Sequence, residues 1–387
     1  MRTLKAALAL LIITLSFLSG QAQTRFDNLE FKQFSTPEGL PNSMVHQVYQ
    51  DRDGYIWIST FYGLFRYDGY EVRTYKSNLY TPGLLVNNNV ICVEEDYSHR
   101  LWIGTHEGLC VLDKQTGKMR KMKLEGISKH RLNEIHVTKD NKVYLGYIRG
   151  MACYNAELDT LELMTSKNCK GEVPEQINIQ TLLEDENGDL LIGTWQDGLF
   201  HYNIKENKFT HYPPLDESNS VLALFQDSKG ALWVGTSGSG LYKVNFSPDK
   251  KTLSVEKAYK HDALNTLSLS SDYIYSIHED LQTHSLWLGT RNGVSIMDLT
   301  DEGKFINYRE SGSEHYLPVR EVNTVFRDKN GLMWIGTKGA GVFHVNTRTR
   351  PFEVFYPRGN GKSFTDIIST LYVEESGASW VGFGYGI

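Results

Sequence analysis

Short runs of alternating apolar and polar residues recur along the chain, and a polar turn rich in Gly, Asp and Asn follows each run. Residues 45–49 (Val-His-Gln-Val-Tyr) and 322–326 (Val-Asn-Thr-Val-Phe) show the pattern. A period of two residues is typical of a β-strand that buries one face, and Asp-Gly or Asn-Gly turns reverse antiparallel strands. The pattern therefore predicts an all-β protein built from many short antiparallel strands.

One longer phrase is repeated eight times: an Asp-containing turn, an apolar residue, Trp, Ile or Val, Gly, Thr and, a few residues later, Gly-Leu. The first copy runs from Asp51 to Thr60 and closes with Gly63 and Leu64, whereas the third copy is divergent. The positions equivalent to the Trp of the phrase lie about 46 residues apart on average and are Trp57, Trp102, Tyr144, Leu191, Trp233, Trp287, Trp334 and Trp380. So regular a period indicates a repeat protein.

Each repeat contains four strand-like runs, the last of which carries Phe-x-x-Tyr, as at residues 209–212. Four antiparallel strands in roughly 40–50 residues are typical of one blade of a β-propeller. A blade cannot bury both faces alone, so blades pack side by side in a ring. The repeated residues are therefore expected to be structural: the Gly after Trp-Ile leaves space, the Gly before Leu adopts a positive φ, and the Thr hydrogen-bonds the turn.

The repeats predict a ring of seven four-stranded blades over residues 23–357, followed by the start of a second propeller at residues 358–387. The eighth repeat stops at Ile387, where its third strand would begin, so we expect the chain to be a fragment of a longer protein. An eight-bladed ring is the alternative, and it needs the missing strands. Residues 29–34 resemble an extra outer strand, which is expected to close the ring by pairing with a C-terminal blade.

Residues 1–22 have the pattern of a secretory signal peptide. A short basic start precedes an apolar run at residues 6–18, and Gly20 and Ala22 are small residues at the −3 and −1 positions of a cleavage site. The apolar run is shorter than the roughly 20 residues of a membrane span, which favours cleavage over an uncleaved anchor helix. The protein is therefore expected to be exported.

Lys and Arg number 40 and Asp and Glu number 46, so the net charge is −6, and the basic residues are dispersed. Such a surface repels a phosphate backbone, which excludes nucleic acid as the expected partner. Export permits disulfides, and the cysteines allow three pairings. Cys92, Cys110 and Cys153 lie in apolar runs and are expected to be small buried side chains, whereas Cys169 lies in a loop. No CxxC pair is present, and neither a metal ion nor a cofactor is predicted.

The repeated phrase Asp-x-x-Gly-x-Leu-Trp-Ile-Gly-Thr-x-x-Gly-Leu-x-x-Tyr resembles the two-component-regulator propeller repeat. The opening at residues 34–42 and the segment Tyr67-Asp68-Gly69-Tyr70 are similar to the start of the sensor half of hybrid two-component systems, which are typical of gut Bacteroidetes. The resemblance covers residues 30–387.

This resemblance implies a periplasmic sensor that recognises oligosaccharides and regulates polysaccharide utilisation. Members carry a second propeller, a β-sandwich, a transmembrane helix in the inner membrane, and cytoplasmic kinase and response-regulator parts, which would be the partners of this chain. A homodimer of the full receptor is an arrangement that the resemblance leaves open. Histidine kinase activity would belong to those other parts, so the chain itself is expected not to be an enzyme.

Candidate ligand-binding residues are the variable positions within Thr-x-x-Gly-Leu. In a propeller, these turns between the second and third strands meet the connections between blades at one mouth of the ring, where variation on a fixed scaffold is typical of binding. The candidates are Phe61, Tyr62, His106, Glu107, Arg149, Trp195, Gln196, Asp197, Arg291, Asn292 and Lys338. Aromatic rings stack on sugar faces and polar groups bind hydroxyls, so Trp195 with Gln196 and Asp197 is the most sugar-like set. Arg149, Arg291 and Lys338 are candidates for a uronate or sulfate, and ordinary solvated turns are the alternative.

Two other functions remain open. The first is a freestanding exported propeller that binds glycan or protein as a scaffold. The second is a propeller glycosidase or lyase, which needs two carboxylates facing one bond. The segment Asp51–Trp57 resembles a sialidase Asp box, but its Gly follows Asp53 directly and the register is wrong.

Overall fold

The computed structural model describes residues 26, 29–34, 40, 44–77, 85–122, 131–215, 219–247, 250–310, 316–347, 368–374 and 379–383. The regular elements of these residues are all β-strands, as expected. The predicted signal peptide, residues 1–22, lies outside the described residues, and so does the Gly-Ile end of the eighth repeat. Among the described residues, no helix is long and apolar enough to cross a bilayer.

Seven antiparallel sheets, one for each of the first seven repeats, make up the unit Met1–Arg348. Their first strands are β2 (Val45–Gln50), β6 (Val90–Glu95), β10 (Leu132–Val137), β15 (Ile179–Glu184), β19 (Val221–Gln226), β23 (Ile274–Asp280) and β27 (Val322–Arg327). Their second strands are β3 (Ile56–Thr60), β7 (Arg100–Thr105), β11 (Val143–Tyr147), β16 (Leu190–Thr194), β20 (Leu232–Thr236), β24 (Ser285–Thr290) and β28 (Leu332–Thr337). Their third strands are β4 (Gly63–Tyr67), β8 (Gly108–Asp113), β12 (Gly150–Asn155), β17 (Leu199–Asn203), β21 (Leu241–Phe246), β25 (Gly293–Asp298) and β29 (Val342–Asn346).

The outer strands complete the blades. They are β5 (Val72–Tyr75), β9 (Met119–Met122), β13 (Thr160–Met164), β18 (Lys208–Tyr212), β22 (Leu253–Tyr259), β26 (Phe305–Tyr308) and, for the seventh blade, β1 (Lys32–Phe34). A two-residue strand, β14 (Lys170–Gly171), pairs in parallel with β18. First strands of successive blades contact one another in chain order, and β27 contacts β2. The molecule is therefore a closed seven-bladed propeller with the first strands around its channel, which confirms the predicted architecture.

The ring is closed by the N-terminal strand, as the sequence predicted. β1 pairs antiparallel with β29, so that Lys32, Gln33 and Phe34 lie opposite His344, Phe343 and Val342. The Phe34 side chain is buried against Tyr67 of the first blade and Trp334 of the seventh, with ring centroids 4.7 and 6.0 Å away. One residue therefore joins the two ends of the ring.

The glycines and threonines of the repeated phrase have the predicted structural roles. A Cβ at Gly336 would lie 2.5 Å from Thr324 and 2.6 Å from Val45 of the next blade, which no side chain could tolerate. Gly293 has a φ of +86°, and a Cβ there would lie 2.0 Å from the carbonyl oxygen of Tyr308. In the first blade, the Thr60 hydroxyl donates to the carbonyl oxygen of Gly63 across the turn.

A buried hydrogen bond between Trp and Asp explains why both recur. In four blades the Trp indole N–H donates to the second carboxylate oxygen of the Asp six residues earlier, at 2.8–2.9 Å. The other oxygen accepts backbone N–H groups of the turn. In the third blade both partners change together, to Tyr144 and Thr138. The pair therefore fixes the first turn of the blade against its second strand.

Trp233→Phe is expected to lower the free energy of unfolding by about 2 kcal/mol, because the buried Asp227 carboxylate loses its indole donor while the aromatic packing largely remains. Urea denaturation followed by circular dichroism measures the change. Trp195→Phe, at an exposed Trp, is the control and should change stability by less than about 0.5 kcal/mol. Equal stability of the two variants would show that the Asp–Trp bond is not stabilising.

In the unit Thr349–Ile387, the described residues form an antiparallel hairpin of β30 (Ile368–Val373) and β31 (Ser379–Phe383). These strands correspond to the first two strands of a blade, with Trp380 opposite Tyr372. The start of a second propeller at residues 358–387 stays a prediction.

The four cysteines, all of them described, form no disulfide. Cys92 and Cys110 are buried, as expected, whereas Cys153 is only partly buried. Burial raises the pKa of the Cys110 thiol to about 11, with a backbone hydrogen bond from Val86 opposing the shift. These two thiols therefore act as small core side chains.

Candidate functional site at the channel mouth

A β-bulge at the start of every first strand supplies the residues around one mouth of the channel. In all seven blades the pairing of the first and second strands skips one residue, as at His46, which lies between Val45 and Gln47. A bulge redirects the unpaired side chain and is common beside functional sites. The bulged residues are His46, Ile91, Asn133, Gln180, Leu222, Tyr275 and Asn323.

These residues surround a cavity of about 530 Å³, here called the mouth cavity, to which six of the seven contribute. Ile148, Trp195 and Ser237, from turns between second and third strands, line it as well. A second cavity of about 330 Å³ adjoins it along the channel and shares His46 and Glu134 with it. Their volumes are those of small-molecule sites, which are commonly a few hundred Å³.

Three amide side chains form a fixed network on one wall of the mouth cavity. The Asn178 side-chain oxygen accepts hydrogen bonds from the amide groups of Asn133, at 2.9 Å, and Gln180, at 2.8 Å. Asn133 also donates to the carbonyl oxygen of Ile179 at 2.7 Å. Because these bonds orient the amides, the remaining amide atoms are held ready for hydroxyl groups of a ligand.

Aromatic rings form another part of the wall. Trp195 is 41% exposed, so a large part of its ring is available to a ligand. Tyr273 and Tyr275 are partly buried and line the same cavity. The Arg291 guanidinium lies 4.9 Å above the Tyr273 ring and covers one of its faces. The cavity therefore combines aromatic and amide groups, which together suit a sugar ring.

Two carboxyl groups that line the channel have raised pKa values, which favour their neutral forms. Burial raises the pKa of Glu134 to about 8, although a hydrogen bond from the Ile135 backbone N–H opposes the shift. Burial and repulsion from Glu134 raise the pKa of Glu94 well above its usual value. A protonated carboxyl is a hydrogen-bond donor as well as an acceptor, so at neutral pH Glu134 adds a donor to the mouth cavity and no charge.

Three histidines of the first strands are also held neutral. Burial lowers the pKa of His46, His136 and His278 to about 4 in each case. His46 hydrogen-bonds the Asn89 side chain at 2.9 Å, and His278 lies between the rings of Phe225 and Phe326. All three line the channel.

The sequence-predicted site residues lie on the turns between the second and third strands of six blades, and they are partly or fully exposed. Trp195 lines the mouth cavity, and its predicted companions Gln196 and Asp197 do not. The other predicted residues that do not line it are Phe61, Tyr62, His106, Glu107, Arg149, Arg291, Asn292 and Lys338.

Some of these side chains are engaged elsewhere. Lys338 pairs with Glu321 at 2.9 Å, and the Asn292 amide donates to the carbonyl oxygen of Ser270 at 3.2 Å. Phe61 and Tyr62 pack edge to face, 5.2 Å apart. Their role in binding stays a prediction, and the structure adds the bulged residues, together with Arg131 and Glu134, as candidates.

One side-chain cluster of the described residues has the composition of a cation site. Asp185, Asp189 and His201 are buried, and their ligand atoms lie within 4.8 Å of one another. Here Leu191 replaces the repeated Trp, and Lys250 of the next blade pairs with Asp185. Although burial favours its neutral form, the neighbouring His201 and Lys250 side chains hold the pKa of Asp185 well below its usual value. The Lys250 ammonium group is therefore the cation that pairs with this cluster.

Four segments, residues 39–62, 84–107, 216–238 and 316–339, match the sequence model of the family described as "Two component regulator propeller". A curated relative, "Histidine kinase P4" of Formosa agariphila, is 34% identical over 67 residues, which are 17% of this chain and 5% of that protein. The chain therefore spans a small part of this relative.

Solved structures share the fold. One is the extracellular domain of a protein described as the hybrid two component system BT3049 of B. thetaiotaomicron, with a TM-score of 0.69, 23% identity, and coverage of 92% of this chain and 47% of that one. Virginiamycin B lyase of Staphylococcus aureus is also similar, with a TM-score of 0.60, 10% identity, and coverage of 82% of this chain and 99% of the lyase. At such identities the likeness concerns the fold, and this chain spans about half of the extracellular domain.

Proposed function

We propose that this chain, which carries the repeats of two-component regulator propellers, is the periplasmic ligand-sensing module of a hybrid two-component receptor and binds an oligosaccharide at the mouth cavity. The observation that carries the proposal is the mouth cavity itself. It lies where six of the bulged residues and the turns of neighbouring blades meet, so a ligand there contacts many blades at once.

The lining supports a sugar rather than an apolar ligand. Trp195 offers a ring face for stacking, while Asn133, Asn178 and Gln180 offer oriented amides for hydroxyl groups. The expected export of the chain and its likeness to an extracellular sensor domain agree with this assignment. In the full receptor, binding would be passed to further domains of the same protein, and regulation of polysaccharide utilisation would be the output.

Trp195→Ala is expected to weaken oligosaccharide binding by about 5- to 150-fold, because a stacked aromatic ring contributes on the order of 1–3 kcal/mol to binding. Isothermal titration calorimetry against a panel of plant and host oligosaccharides measures the affinity. Tyr70→Ala is the control, since Tyr70 is 95% exposed and lies on the turn between the third and fourth strands, at the other end of the channel. An equal loss in both variants would contradict binding at the mouth cavity.

The same panel separates the alternatives. Release of shortened products would identify a glycosidase or lyase. Virginiamycin B lyase, which shares the fold, shows that a propeller of this kind can belong to an enzyme. A protein that binds no member of the panel would leave the scaffold function, in which a protein partner replaces the sugar.

A further inference from the structure

Arg131 is a cation without a counter-charge in the mouth cavity. It directly precedes β10 and lines the cavity beside Asn133 and Glu134. Within the described part of the chain, no carboxylate pairs with its guanidinium. Burial lowers the pKa of Arg131, whereas the pKa of Arg120, which donates to Asp159 at 2.6 Å, is raised by that hydrogen bond. Arg131 is exposed and lines the cavity, so its guanidinium is accessible to a ligand there.

The groups around Arg131 leave its charge uncancelled. Glu134, the carboxyl group of the cavity wall, is protonated at neutral pH because burial raises its pKa to about 8. His46 is neutral because burial lowers its pKa to about 4, and the charge of Arg131 contributes to that shift. The described lining therefore carries one positive charge, on a chain whose net charge is −6.

We infer that the mouth cavity selects acidic oligosaccharides and that Arg131 holds their uronate carboxylate or sulfate ester. This inference rests on the proposed function. A guanidinium binds either anion through two parallel N–H donors. The anion would then lie beside the oriented amides, with an adjacent sugar ring on Trp195.

The cations predicted from the sequence are less suited to this role. Lys338 is already paired with Glu321, and Arg291 stacks on Tyr273. Arg149 does not line the mouth cavity. Arg131 was not among the binding residues predicted from the sequence, because the repeated phrase does not include the residue before a first strand.

Titration calorimetry of the whole chain with three probes of equal length tests the inference: a uronic-acid oligosaccharide, a sulfated neutral oligosaccharide and the unsulfated neutral parent. The wild type is expected to bind at least one acidic probe at least tenfold more tightly than the neutral parent, and raising the salt concentration should narrow the difference. Arg131→Gln should remove this preference, because the affinity for the acidic probe should fall to that for the neutral parent. Arg131→Lys should restore part of it, because the charge returns without the bidentate geometry.

Lys338→Gln is the matched control, since Lys338 lies near the same mouth and its charge is already paired with Glu321. It should keep the preference for the acidic probe. A wild type that binds neutral and acidic probes equally would overturn the inference while the proposed function stands. Binding of none of the probes or of the wider panel would overturn both. The relative affinities of the uronate and the sulfate ester identify which anion Arg131 holds.

Discussion

Glu134→Gln is expected to stabilise the protein by about 4 kcal/mol at pH 8 and to leave its stability near pH 4 almost unchanged. Burial raises the pKa of Glu134 to about 8 from a usual value near 4.5. Below pH 4.5 the Glu134 carboxyl is protonated in the folded and the unfolded protein, so its ionisation does not lower the free energy of unfolding. As the pH rises from 4.5 to 8, the unfolded chain ionises while the folded chain keeps its proton, so the wild type loses stability over this window.

Urea denaturation of wild type and variant at intervals between pH 4 and pH 9 measures the difference. Gln keeps the shape and hydrogen-bonding capacity of the protonated acid, which isolates the titration from packing. Glu107→Gln, an exposed substitution at the same mouth, provides the baseline. A stability difference that stays constant across the pH range would show that Glu134 is ionised in the folded protein, and that the mouth cavity then carries no net positive charge.

The fold could be predicted from the sequence because each structural residue recurs. The glycine equivalent to Gly336 recurs where a second strand lies close to the next blade, and in four blades a Trp equivalent to Trp233 recurs with the Asp that accepts its indole N–H. The closing strand was recognisable as well, because residues 29–34 resemble an extra outer strand. Because the same pattern occurs in each repeat, the repeats together identify the strands and turns, whereas the sequence of a single strand does not.

The candidate site could be predicted only in part, for a physical reason. The turns between second and third strands were the expected location, and Trp195 does line the mouth cavity. However, the bulges that turn His46 and Tyr275 into the mouth are features of backbone pairing, which the alternating pattern does not reveal. The link from Lys250 to Asp185 was equally hidden, because its partners lie in different blades.

Phe34→Asp is expected to lower the free energy of unfolding by about 4 kcal/mol or more, because it buries a charge and deletes an aromatic ring. Phe34 is 5% exposed and packs between Tyr67 and Trp334, which belong to the first and seventh blades. Without this contact β1 should detach, leaving β29 as an open sheet edge that can pair with other chains.

Thermal unfolding and light scattering measure both consequences. Lys32→Asp is the matched control, since it introduces the same charge at an exposed position of the same strand and should shift stability by less than about 1 kcal/mol. If Phe34→Asp and Lys32→Asp unfold at the same temperature, β1 does not hold the ring closed. If only Phe34→Asp unfolds at a lower temperature and aggregates, the first and last blades are joined through this one buried aromatic ring. The mouth cavity then depends on the closure of the propeller, because β2 and its neighbours contribute to its wall.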